Sequence, residues 1–99
     1  MDEGSRAGTE RVLVLNPVSG DADHADRVRE LAADHGFAVR ETEGEGDAER
    51  FAAAAADEGA DLVAAAGGDG TLNEVICGLD EADALPDVGF AVVPAGTGN

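Results

Sequence analysis

The sequence predicts an α/β fold of the Rossmann-like kind, a three-layer sandwich around a parallel sheet of about four strands. Three observations predict it. Short apolar runs at Arg11–Leu15, Asp61–Ala66 and Val88–Val93 are separated by segments of helical period. Strands alternating with helices imply βαβ units with right-handed crossovers, hence parallel strands. Loops rich in glycine or asparagine follow three of the strands, where open α/β sheets bind ligands.

Met1–Thr9 is small, polar and without pattern, and reads as a disordered leader to a single domain over residues 10–99. Arg11–Leu15 is continuously apolar after its arginine, as suits a strand buried on both faces. Asp21 is placed to cap a helix running to about His35, with Ala25, Val28, Leu31 and Ala32 on its buried face and Gly36 as its stop. Phe37–Glu41 alternates and reads as a second, more exposed strand. Asp47 starts a helix over Ala48–Glu58 whose Phe51, Ala52 and Ala55 face the sheet; its alanine run has high helix propensity and packs closely. Asp61–Ala66 is the third strand and Val88–Val93 the fourth. The helix between them, Thr71–Leu79, opens on Thr71-Leu72-Asn73-Glu74, the pattern of a capping box.

A strand order 2-1-3-4 brings three loops together at the carboxyl ends: Asn16–Gly20, Gly67–Thr71 and Pro94–Asn99. In Gly67-Gly68-Asp69-Gly70-Thr71 the glycines let backbone N–H groups approach a ligand closely. The helix start behind them adds unpaired donors and partial positive charge, a seat for phosphate. The chain has no lysine, so this is not a Walker A loop, and Asn73 stands where GxGxxG needs its third glycine. Taken alone, the same residues also suit a tight turn into a capped helix.

Six arginines oppose 22 acidic residues, a net charge of −16. The acidity is spread along the chain and is read as halophilic adaptation of the surface rather than as a cation sink or a nucleic-acid mimic. It argues against nucleic-acid binding, which needs a basic footprint. The single cysteine, Cys77, excludes an internal disulfide, fits a reducing, cytoplasmic compartment, and reads as a small buried hydrophobe. His24 and His35 lack partners at metal-ligand spacing and read as solvated or cap-related.

Asn16–Gly20 (NPVSG), the weaker Thr42–Ala48 stretch, Gly67–Val75 (GGDGTLNEV) and Pro94–Asn99 (PAGTGN), in this order, resemble the catalytic domain of the diacylglycerol kinase family, which includes sphingosine- and ceramide-type lipid kinases. The resemblance implies ATP-dependent phosphorylation of a lipid hydroxyl at a membrane surface, with the protein cytoplasmic or peripheral. It implies nucleotide contacts from Asn16, Thr42, Gly67, Gly68, Asp69, Gly70, Thr71, Asn73 and Thr97, and Mg²⁺ held through water by Asp69, which is also the candidate catalytic residue, the alternative base being an acidic residue of the family's second domain. The family's β-rich second domain does not follow Asn99, so the chain reads as the nucleotide-binding half of such an enzyme, inactive by itself. The competing readings are an NAD kinase-like enzyme, which shares the GGDGT loop, and a non-catalytic nucleotide-binding domain.

Overall fold

A strand that is apolar at successive positions must bury both faces, and Val12–Leu15 does so: none of the four is more than 3% exposed. The computed structural model describes residues 10–17, 22–83 and 88–94; of Ala22, His24 and Pro94 the backbone alone is described. Its elements, in chain order, are β1 (Arg11–Leu15), α1 (Ala22–Asp34), β2 (Phe37–Glu41), α2 (Asp47–Asp57), β3 (Leu62–Gly67), α3 (Asp69–Glu81) and β4 (Gly89–Pro94). The strands form one parallel sheet in the expected order, β2-β1-β3-β4.

The chain steps from β1 to β2 in one direction, then through β3 to β4 in the other. Right-handed crossovers therefore put α1 on one face and α2 and α3 on the opposite face. Side-chain alternation along the strands divides the core accordingly. Val12, Val14, Val63 and Ala65 pack against Ala48, Ala52 and Ala55 of α2 and Val75 and Leu79 of α3. Leu13, Leu15, Ala64 and Ala66 pack against Ala25, Val28 and Ala32 of α1. The layer of α2 and α3 is dense because its residues are small. At Gly78 of α3 an added Cβ would lie 2.3 Å from the carbonyl oxygen of Glu49 and 3.0 Å from the Ala52 Cβ.

Four arginines make hydrogen bonds or ion pairs at the surface, three of them between elements and Arg50 within α2. The Arg11 side chain donates to the His35 carbonyl at 2.8 Å. Arg29 grips Glu41 with two hydrogen bonds, at 2.7 and 3.0 Å, and also reaches Asp26. Arg40 pairs with Glu58 at 2.7 Å, and Arg50 with Asp47. The fork of Arg29 holds the Glu41 carboxyl below its usual range, and Arg29 is raised in return.

One pair acts the other way. Glu49 on α2 shares a hydrogen bond with Glu81 on α3, which raises the Glu49 pKa above the usual carboxylate value. A carboxyl raised by folding stabilises below its unfolded pKa, and that contribution vanishes as pH rises through the folded value. Glu81→Gln is expected to raise the melting temperature by about 1–2 °C at pH 7 and to leave it unchanged at pH 4, as thermal melts at the two pH values would show.

Several expectations need correction. Leu31 is 49% exposed, because α1 sits over the β2 side of the sheet and Leu31 borders an open apolar groove with Ala64, Ala91 and Val93. Cys77 is exposed, on the side of α3 turned from the sheet. The third helix starts at Asp69, two residues before the expected Thr71, and Gly68 is its N-cap without a side-chain cap. Thr71 is thus inside the helix and buried, and the expected capping box does not form. The third strand runs one residue later than expected, through Gly67. Met1–Thr9 and Asp21 lie outside the described residues. His35 is exposed, as expected.

Candidate functional site

Backbone hydrogen bonds extend the sheet beyond its strands and fix what stands on its carboxyl edge. The Asn16 N–H donates to the Ala66 carbonyl at 2.9 Å, and the Thr42 N–H donates to the Leu15 carbonyl at 2.8 Å. The first residues after β1 and β2 are therefore held as firmly as the strands themselves. The Asn16 side chain reaches over the end of β3, where its Nδ2 donates to Thr71 Oγ1 at 3.2 Å. Gly67 lies beneath this bond. A Cβ there would meet Thr71 Oγ1 at 2.7 Å and the Asn16 Cβ at 3.1 Å, so a side chain and the Asn16–Thr71 contact exclude each other.

The loop from Glu43 to Gly46 forms the opposite wall. Asp47 accepts from the N–H groups of Glu43 and Gly44, at 2.8 and 3.0 Å, and Gly46 turns the chain into α2 with φ +86°. The Gly46 N–H in turn donates to the Glu74 carboxylate of α3, 3.3 Å from each oxygen. Between the walls lies a cavity of about 560 Å³. Asn16, Thr42, Gly70 and Thr71 line it, Ala48 supplies apolar surface, and Glu43, Glu45 and Glu74 bring carboxylates. None of the described lining residues is basic.

Asp47 is held below its usual range, first by the Glu43 N–H and also by Gly44 and Arg50. Its contribution to stability is present above the unfolded pKa and is lost as pH falls through the depressed folded value. Asp47→Ala is expected to speed hydrogen exchange at the Glu43 and Gly44 amides by about tenfold. The parent chain should lose the same protection only in acid, below the ordinary aspartate range. Amide exchange followed by NMR checks both.

Asn16, Thr42, Gly70 and Thr71 therefore share one cavity, with Gly67 shaping it from below. Asp69 and Asn73 instead line a shallower groove with Gly70, Leu72 and Ile76. Gly70 stands between the two and belongs to both. Gly68 is exposed at the helix start. Thr97 and the residues Val18–Gly20 lie outside the described residues, although the pairing of Gly67 with Pro94 brings the start of that last motif beside the glycine loop. The sequence reading missed Glu43, Glu45 and Glu74 as lining residues. For Glu74 a signal existed, since residues three apart share a helix face and Thr71 already pointed at the site.

The sequence profile of the diacylglycerol kinase catalytic domain matches residues 10–99. The chain belongs to this family. Among relatives of this diacylglycerol kinase-type domain, a diacylglycerol kinase of Bacillus subtilis is 39% identical over 92 residues, covering 88% of this chain and 30% of its own length. A Xanthomonas campestris protein assigned as a YegS-like lipid kinase is 43% identical over 93 residues, covering 88% of this chain and 29% of its own. A crystal structure of a Bacillus anthracis protein assigned as a diacylglycerol kinase superposes with a TM-score of 0.72 at 29% identity, over 90% of this chain and 34% of that one. The solution structure of a phosphate-loop protein shares the fold alone, with a TM-score of 0.63 at 20% identity over 89% of this chain and 79% of that one. The kinase-type domain thus spans less than a third of the length of these curated relatives. Among its described residues no helix is long and apolar enough to cross a membrane.

Proposed function

We propose that this chain is the nucleotide-binding half of an ATP-dependent lipid kinase, and that the cavity between Thr71 and the Glu43–Gly46 loop takes the nucleotide. One observation carries the reading: residues from three separate loops meet at one cavity, tied by the Asn16–Thr71 hydrogen bond, in a chain of a kinase family. The phosphates belong at the Gly67–Thr71 end. There three of the five residues are glycines, and α3 presents the N–H groups of its first turn and the positive end of its dipole.

A cavity whose described lining has three glutamates and no basic residue repels a bare triphosphate. Among the described residues no three His, Cys, Asp or Glu side chains converge as a metal site, so Mg²⁺ would arrive with the nucleotide, its shell completed by phosphate oxygens and water, and would offset the phosphate charge when bound. Asp69, which lines the neighbouring groove across Gly70, is the residue to hold that ion through water. It is also the candidate to take the proton from the acceptor hydroxyl. Phosphoryl transfer asks chiefly for positioning and neutralised charge, so fixed backbone donors count for more than a nucleophile.

The acceptor is a lipid alcohol presented at a membrane surface, with the longer protein lying against it. The chain alone should bind nucleotide without turnover, as it spans less than a third of its relatives. The surface charge suits a halophilic, high-salt interior, where an isoprenoid ether alcohol is a natural acceptor to try.

An amide NMR titration with Mg-ATP in molar KCl tests the site. Shifts are expected at Gly67–Thr71, Asn16 and Thr42, and are expected to weaken sharply when EDTA removes the metal. A folded spectrum that ignores millimolar Mg-ATP would refute the reading. Assay of the longer protein against lipid alcohols and NAD separates a lipid kinase from an NAD kinase-like enzyme, and the absence of any turnover would leave a binding domain.

A further inference from the structure

The Gly46 N–H is the donor that opens α2, and helix starts need acceptors for such groups. Within a capping box the acceptor is the side chain three residues along the same helix. For α2 that residue is Glu49, but Glu49 is turned to Glu81 at the far end of α3. The acceptor comes from another helix instead. Glu74, half-buried on α3 and 28 residues away in sequence, receives the Gly46 N–H on both carboxylate oxygens, at 3.3 Å each. Gly46 has no side chain with which to cap itself.

Glu74 is one turn along α3 from Thr71, and both line the cavity. The bond from Glu74 to Gly46 therefore spans the two walls, joining the helix of the glycine loop to the end of the Glu43–Gly46 loop. We propose that Glu74 is a positioning residue for nucleotide binding: it caps α2 from α3 and so sets the width of the cavity. The proposal rests on the nucleotide reading above for its consequence, but not for the contact itself. Glu74 acts here as a hydrogen-bond acceptor at a fixed reach, not as a charge.

That distinction makes the test. Glu74→Gln keeps an acceptor oxygen at the same reach and removes the charge. Glu74→Asp keeps the charge and withdraws it by one methylene. Mg-ATP affinity and exchange of the Gly46 amide are measured by NMR on the 99-residue chain and these variants. The Gln variant should hold Gly46 protection and Mg-ATP affinity within about threefold of the parent, whereas the Asp variant should lose about tenfold in each. Glu74→Ala should behave as Asp does, and the Asp variant keeps the test alive should the Ala variant fail to fold.

The reverse order, with Asp active and Gln inactive, would overturn the proposal and make Glu74 a charged partner of the ligand or its metal. Loss of Gly46 protection with unchanged affinity would also overturn it, reducing the bond to a stabilising contact. Should the parent chain ignore Mg-ATP while Gly46 responds as described, the nucleotide reading fails and takes the positioning role with it, but the cap stands.

Discussion

Gly78→Ala is expected to melt about 10 °C below the parent chain, a large loss for a single methyl group. Alanine is the better helix former by about 1 kcal/mol, so propensity alone predicts the opposite sign. Packing overrides it. The new Cβ would stand 2.3 Å from the Glu49 carbonyl oxygen, a backbone atom of α2 that cannot rotate away. Relief requires α2 and α3 to move apart, against the small-residue layer of Ala48, Ala52 and Ala55. Overpacking of this kind costs about 1–3 kcal/mol, and about 4–8 °C accompanies each kcal/mol in a chain of this size. Gly70→Ala is the control, since a Cβ at Gly70 meets nothing within 4 Å. That variant should melt at or slightly above the parent. Thermal denaturation of the two, followed by circular dichroism, decides the matter; an unchanged melting temperature for Gly78→Ala would mean that the two helices slide freely.

The second large effect falls on binding. In Gly67→Ala the methyl group would press on Thr71 Oγ1 at 2.7 Å and on the Asn16 Cβ at 3.1 Å, and the Asn16–Thr71 hydrogen bond must break. Both side chains line the proposed nucleotide cavity. Mg-ATP affinity is expected to fall by at least tenfold, with about 1–3 kcal/mol lost from stability. Asn16→Ala removes the same hydrogen bond without the clash. It should weaken binding while sparing most of the stability, and titration calorimetry beside denaturant unfolding separates the two losses. Binding retained in Gly67→Ala would place the nucleotide elsewhere.

Much of this architecture was legible because it rests on short-range patterns. The unbroken apolar run of Arg11–Leu15 could only be a strand covered on both sides, and its bounds match. The strand order followed from where the glycine and asparagine loops fall, and the sheet has that order. What failed depended on the third dimension. Leu31 has the correct period for the buried face of α1, but the sheet extends past this one helix, and Leu31 borders the open groove over Ala91 and Val93 of β4. Thr71 and Glu74 have the spacing of a capping box, yet each is claimed by a distant partner, Thr71 by Asn16 and Glu74 by Gly46. Those partners lie 55 and 28 residues away, beyond any local rule. In the site, the expected convergence was of the loops Asn16–Gly20, Gly67–Thr71 and Pro94–Asn99; the structure sets Asn16 and Thr71 at one cavity with Thr42, which only the family resemblance names. The separation of Asp69 and Asn73 into a neighbouring groove was not foreseen, because it depends on where in the sequence α3 begins.

The outward placement of Cys77 has a practical side. It is the only thiol in a chain without lysine, so a maleimide dye attaches at one place and amine-directed reagents leave α3 untouched. It stands about 9 Å along the helix axis from Thr71, and on a different face, since Thr71 is buried and Cys77 is not. A fluorophore there reports on the helix that carries the glycine loop while staying clear of the cavity. Changes in its emission or anisotropy would follow ligand occupancy in real time and at nanomolar protein, without engineering a second site into the fold.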